Sequence, residues 1–454
     1  MKLLIKNGFL ISKSYYGKYD IEINNQKITK VAKHIAINDH KLIDADGCYV
    51  FPGLIDAHTH FNLEAYGAKT LEDFPKGTRT ALLNGVTTVI DYIIPQKSET
   101  LLAAYHRRLK EATGSFVDYT FHAQIVDVNE DFSTLIRKLI SYGIKSFKIF
   151  LPKTENWYID DGKLYIILNE LKKYKNVVLE IHAENSDMIN VLTEKLKNED
   201  KLSVKYFPLS RPNVVEYEAV RRVISINNKV GCNIYFVHLS TKDALEEIIY
   251  WKKQKNKNFN IYAETCPQYL YLTRNVFKIK KNYLYTCCPP VKSLSDKIFL
   301  WKCVRNSIVD VIATDNCVFS KKMKFRFRDN FTKIPMGLPG TSMLFHFVIT
   351  ESIKRRLNLR NIIKMVTSTP AKIFSLYPKK GDFLALKSDA DIIIYYPKEK
   401  WRVNVKRLNT VADYTVYEGY EVYGKILKVI FKGNLVVDNG KLLISQPQGA
   451  YIPR

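Results

Sequence analysis

The chain has 454 residues, 46% hydrophobic and 12% aromatic, a composition that suits an enlarged α/β barrel with one accessory domain and excludes a disordered or repeat protein. Its seven cysteines, an odd number set mostly in apolar strand-like segments, read as reduced thiols rather than a disulfide framework, and no apolar run approaches the roughly 20 residues that cross a bilayer. The formal charge of +25 raises an anionic partner, but the lysines fall in separate patches near 172, 251, 278 and 321, each beside an apolar segment; a solvated surface is expected, with no specific nucleic-acid site.

Met1 to Leu10 carries Lys2 and Lys6 among its apolar residues and lacks a cleavage site, so a soluble cytoplasmic protein is expected rather than a secreted one. Residues 1 to 51 alternate strand and turn, with Asn7-Gly8 and Asn24-Asn25 as turn signals. From Tyr49 the rhythm changes to apolar strands separated by helix-length segments. The predicted strands are Tyr49 to Asp56, Val86 to Ile94, Val117 to Val128, Ser146 to Phe150, Val177 to His182, Asn233 to His238, Asn260 to Glu264 and Val309 to Asp315. Eight such units predict an α/β fold, a (β/α)8 TIM-like barrel over residues 52 to 375, with its chemistry where strands end and loops begin. After Thr369-Pro370 a short helix leads to a second β-rich tract: G-D-F-L-A-L, A-D-I-I-I-Y-Y and K-I-L-K-V-I-F-K-G-N-L-V-V. The patterns at the two ends match, so residues 1 to 51 and 376 to 454 are expected to form one β-sandwich beside the barrel.

The predicted strand ends carry the chemistry. In F-P-G-L-I-D-A-H-T-H-F, residues 51 to 61, His58 and His60 lie two apart and share one face of a strand, which suits metal ligation. Lys148, His182, His238 and Asp315 stand at or near the ends of the fourth, fifth, sixth and eighth strands. Either of the later histidines alone would fit a satisfied core residue, and their place in series with His58 and His60 favours metal. Asp315 could bind metal and take a proton from a metal-bound water. Lys148 on its own reads first as a lysine in an ordinary ion pair. Carboxylated by carbon dioxide, it would become a carbamate able to bridge two metals. Together these residues give up to six ligands, enough for two divalent ions that would generate a hydroxide and polarise a carbonyl.

The motifs above, with D-F-P-K-G-T-R-T-A, G-V-T-T-V-I-D, G-I-K-S-F-K-I-F, I-H-A-E-N, V-H-L-S, A-E-T-C-P-Q-Y-L, A-T-D-N-C and the closing G-A-Y-I-P-R, run in order along nearly the whole chain. In this the chain resembles the hydantoinase and dihydropyrimidinase branch of the amidohydrolase superfamily. The resemblance implies a binuclear metal barrel, zinc being the expected ion, bound by His58, His60, N6-carboxylated Lys148, His182, His238 and Asp315. It implies hydrolysis of a cyclic amide by metal-bound hydroxide, with Asp315 as general base and then acid, in a homotetramer or homodimer. A small cyclic amide or ureide is the expected partner. The family's tyrosine that polarises the scissile carbonyl falls ungapped on Lys153, with Trp157 and Tyr158 nearby, and the family's S-P-P and P-N-G positions carry Cys288 and Met336. Lys153, Cys288 and Met336 are therefore the expected substrate contacts of an altered pocket. A hydrolase of another ureide or amide, allantoinase- or dihydroorotase-like, and a catalytically silent scaffold are the alternatives.

Overall fold

The protein is described by a computed structural model that covers residues 2 to 153 and 157 to 454. The chain begins with β1 (Lys2–Ile11), β2 (Tyr16–Asn24), β3 (Lys27–Ala32), β4 (Lys41–Asp44) and β5 (Tyr49–Pro52). It enters the barrel at β6 (Leu54–Thr59), makes a hairpin of β7 (Glu64–Ala65) and β8 (Ala68–Lys69), and continues through β9 (Val86–Ile93), β10 (Asp118–Gln124) and β11 (Ser146–Phe150). The remaining barrel strands are β12 (Val178–His182), β13 (Ile234–Phe236), β14 (Ile261–Thr265) and β15 (Val311–Ile312). The chain ends in β16 (Ile392–Arg402), β17 (Glu421–Phe431), β18 (Asn434–Asp438) and β19 (Lys441–Leu442).

The eight parallel strands run in the order β15-β14-β13-β12-β11-β10-β9-β6. Their apolar sequences follow from burial on both faces: every residue of β6, β9 and β10 is buried. At the carboxyl ends of β6 and β15 the curled sheet is joined by the backbone of Asn316, which bonds His58 O at 3.3 Å and His60 N at 2.9 Å. Lower down, the amides of Ile55 and Ile312 bond the carbonyls of Val366 and Met365, so the chain after the last strand fills that end of the seam. Ile55, Ile90, Val178, Tyr235 and Val311 form the lower barrel interior, closed by Phe374, Leu376 and Ile452.

The predicted first strand is two strands. Gly53 separates β5 from β6: its N–H bonds Asp391 O at 2.8 Å, and glycine is required there because a Cβ would come within 2.1 Å of the Thr87 side chain. Strand β5 therefore leaves the barrel and pairs antiparallel with β16, Phe51 opposite Ile393. This pairing joins the two chain ends into one nine-stranded sheet, β19-β18-β17-β16-β5-β1-β2-β3, with β4 beside β1. Its own core contains Leu3, Ile21, Ile23, Val50, Phe383, Ile392, Ile394 and Ile430.

Two other local readings are corrected. Asn7-Gly8 is a bulge within β1, where the register with β2 shifts and Asn7 takes φ 63°, rather than a turn. G-D-F-L-A-L forms turns and bends rather than a strand, although it buries Phe383. The β17–β18 hairpin turns through Lys432 and Gly433 at φ 48° and 76°, the backbone of a type I′ turn. A Cβ on Gly433 would lie 1.8 Å from Asn25 O, so glycine is required there.

Candidate active site

Beyond the carboxyl ends of the barrel strands lies a cleft of about 620 Å³, lined by His58, His60, Lys148, His182, His238 and Asp315 among others. Each reaches it from a strand end. His58 lies in β6, with His60 just past it; Lys148 and His182 lie in β11 and β12; His238 and Asp315 follow β13 and β15. His238 and Asp315 have φ 39° and 52°, a left-handed backbone that is unfavourable for side chains of this size and turns each residue sharply at the end of its strand.

The Nε2 atoms of His58 and His60 each lie 3.2 Å from Asp315 Oδ1. One ligand atom from each of these three residues falls within 4.8 Å of the other two, a group able to hold a metal ion. The rings of His58 and His60 are 5.1 Å apart, those of His58 and His238 5.5 Å and those of His182 and His238 4.5 Å, so the four histidines form one contiguous cluster.

The donor set fits a divalent cation. Metal-binding imidazole must be neutral, with its second nitrogen held by an acceptor. His58 Nδ1 bonds Glu264 Oε1 at 2.8 Å, leaving Nε2 toward Asp315. Glu264 also accepts from Tyr235 Oη at 2.7 Å and from the His238 backbone N–H at 2.9 Å. His182 Nε2 bonds Glu184 Oε2 at 2.8 Å, leaving Nδ1 as its other ring nitrogen, and Arg211 Nη1 donates to the same oxygen at 2.5 Å. Asn185 accepts from Met188 N and starts the helix Ser186–Asn198 just after the strand, which fixes the A-E-N turn bearing Glu184. Burial, followed by repulsion from Lys148 and the other imidazoles, holds His58 and His238 well below the ordinary histidine range.

Lys148 is buried, with Nζ 5.1 Å from the centre of the Tyr92 ring. Burial pulls its ammonium below the ordinary lysine value, against the attraction of Glu180, Glu264 and Asp315. Tyr92 donates to Glu180 Oε2 at 2.8 Å, and Glu180 stands opposite Lys148 in the β11–β12 register.

Cys288 and Met336 line the cleft, together with Tyr66, Gln124, Phe150, Trp157 and Cys317. Lys153 is exposed and stands apart from the lining; its backbone N–H bonds Ser186 Oγ at 2.9 Å. Tyr158 lines a different cleft, beside Asp160 and Asn185. Tyr66 reaches the site from the tip of the β7–β8 hairpin, where it and Gly67 have φ 56° and 66°. Sequence reasoning passed over Tyr92, Gln124, Glu180, Glu184 and Glu264. For the three glutamates the available signal was an acid inside an apolar strand or strand end, which burial tolerates only when it is paired; Tyr92 and Gln124 carried no such signal.

The amidohydrolase family model matches residues 49 to 436. A D-hydantoinase of Geobacillus stearothermophilus is 34% identical over 461 residues, spanning 100% of this chain and 97% of the relative. The crystal structure of a dihydropyrimidinase from Brevibacillus agri superposes with a TM-score of 0.96 at 29% identity, covering 100% of this chain and 99% of that one. An L-hydantoinase from Arthrobacter aurescens superposes with a TM-score of 0.90 at 25% identity, again over 100% and 99%. By sequence and by structure, the chain belongs to the amidohydrolase family, in its hydantoinase and dihydropyrimidinase branch.

Proposed function

We propose that this protein is a metal-dependent hydrolase that opens a cyclic amide, a hydantoin- or dihydropyrimidine-like ring, by cleaving a ring C–N bond. The observation that carries this reading is the approach of two imidazole nitrogens, from His58 and His60, to one oxygen of Asp315, at 3.2 Å each, on the wall of a cleft in an amidohydrolase barrel. The relatives named hydantoinase and dihydropyrimidinase cover the whole chain and supply the substrate class.

His58, His60, His182, His238, Asp315 and the carbamate of Lys148 would hold two divalent ions. A nitrogen-rich shell of this kind favours zinc. When bound, the ions lower the pKa of water and polarise the carbonyl. The carbamate requires a neutral amine, and burial favours that form of Lys148. Asp315 takes a proton from the attacking water as its oxygen bonds the carbonyl carbon. When the ring C–N bond breaks, Asp315 returns that proton to the departing nitrogen.

We read the substrate side of the cleft as altered from the pattern that the resemblance implies. Cys288 and Met336 offer weak sulfur partners, Tyr66 and Trp157 provide aromatic surface, and Lys153 lies outside the lining. This favours a ring bearing a bulky substituent over unsubstituted hydantoin or dihydrouracil. The homotetramer or homodimer implied by the resemblance has exposed apolar residues to draw on, including Tyr165, Ile166, Val191 and Leu209. No helix of the described residues is long and apolar enough to cross a membrane.

The test is a metal analysis of purified protein followed by a turnover screen over hydantoins, dihydropyrimidines, cyclic imides and acyclic ureides. Turnover of 5-substituted rings, lost with chelator and restored by zinc, is expected. Turnover confined to acyclic ureides would move the reaction to another substrate class.

A further inference from the structure

Gln124 closes β10, where the backbone register pairs it with Lys148 of β11. Its side chain lines the cleft with His58, His60, Lys148 and Asp315, yet the residue is only 3% exposed and its amide Nε2 has no hydrogen-bond partner among the described residues. A buried amide without a partner is destabilising, and native structures contain few of them. Three other polar groups in the lining are committed, His58 to Glu264, His182 to Glu184 and Tyr92 to Glu180, while His60, whose Nδ1 is also unpartnered among the described residues, is one of the expected metal ligands. Lys148 and Asp315 belong to the reacting centre, and the sulfur atoms of Cys288, Cys317 and Met336 bond weakly.

A carboxamide presents one acceptor and one donor group side by side, whichever way it is turned. A cyclic ureide or imide presents the complementary pair, an N–H next to a C=O. We propose that Gln124 is a specificity-determining residue of this site, pairing through its carboxamide with the adjacent N–H and C=O of a cyclic ureide. The assignment rests on the hydrolase reading above and deepens it. It supplies a neutral hydrogen-bonding group for the ring from β10, a strand that contributes none of the expected metal ligands. It also selects against rings whose nitrogen is alkylated, since these keep the acceptor and lose the donor.

The experiment compares the holoenzyme with Gln124→Leu, which keeps most of the side-chain volume and removes both hydrogen-bonding groups. Turnover and calorimetric binding are measured for a 5-substituted hydantoin and its N-methylated counterpart, with metal content and melting temperature recorded for each protein. Gln124→Leu is expected to lower kcat/KM for the N–H ring by about tenfold or more and to abolish discrimination against the N-methylated ring. Metal content should be unchanged and the melting temperature equal or higher, because an unpaired amide has been removed. A merely structural glutamine would move stability the other way. If the leucine variant does not fold, Gln124→Met carries the same expectation. Discrimination within about twofold of wild type, or activity lost together with metal and stability, overturns the assignment. Wild-type holoenzyme that neither binds nor opens any cyclic ureide overturns the hydrolase reading, and this assignment with it.

Discussion

Glu264 and His58 are 206 residues apart in sequence, and their side chains meet at 2.8 Å inside the barrel. The contact determines which imidazole nitrogen is left to face Asp315. Glu264 also accepts from the backbone of His238, so one carboxylate orients two members of the histidine cluster. Glu264→Gln is expected to weaken metal binding by about 10- to 100-fold while the protein stays folded. Metal titration followed by calorimetry checks this, and unchanged affinity would make Glu264 a structural acid alone.

Lys148 is buried, and Tyr92, Glu180 and the histidine cluster surround it. Lys148→Ala is expected to lose both metal and turnover, and short carboxylic acids such as acetate or propionate should partly restore both by supplying the missing oxygens. Full metal occupancy in the alanine variant would return Lys148 to an ion-pair role.

Lys324 gives a pH-dependent prediction. It is buried and donates to Thr286 O at 2.9 Å and Thr286 Oγ1 at 2.8 Å, with no carboxylate paired to it among the described residues. Burial lowers its pKa to about 7, from 10.5. Below pH 7 the folded and unfolded chains both hold this proton. From pH 7 to about 10 the unfolded chain holds it and the folded chain does not, so stability rises with pH. Compared with Lys324→Met, the wild-type protein should gain about 2 kcal/mol between pH 7 and pH 9. Parallel stability profiles for the two proteins would show that the ammonium keeps its charge inside the fold.

The barrel and the terminal sheet are joined by a buried ion cluster. Lys380 Nζ lies 2.7 Å from Asp118, 2.6 Å from Asp391 and 3.0 Å from Asp389. The three carboxylates could in principle hold a cation, and the ammonium of Lys380 takes that part. Lys380→Met leaves them unbalanced and should cost about 3–5 kcal/mol in denaturant unfolding. A smaller loss would mean that Lys27 and Lys432, which contact Asp389 and Asp118, carry the balance.

That the expected metal ligands would meet at one cleft was legible because strand geometry is periodic. The i, i+2 spacing puts His58 and His60 on one face, and each later candidate lies at or just past an apolar run that becomes a barrel strand. Their partners were not legible: Glu264 reaches His58 through the closure of the barrel, and nothing in A-E-T-C announces it. Lys153 was placed by ungapped counting from Lys148, but past β11 the chain leaves strand geometry, and Trp157 rather than Lys153 lines the cleft. The pairing of the two chain ends followed from their matching β patterns. The break at Gly53 did not, because it depends on the pairing of β5 with β16 from the far end of the chain.

The central claim is that the histidine cluster with Asp315 is a metal-dependent hydrolytic centre. Its most direct test is a titration of metal-free protein with zinc in bicarbonate buffer, with hydrolysis of a 5-substituted hydantoin followed at each addition. Activity should be absent at the start, rise with bound metal and level off near two ions per chain. Turnover that persists without metal, or protein that binds less than about half an ion per chain after full supplementation, would contradict it.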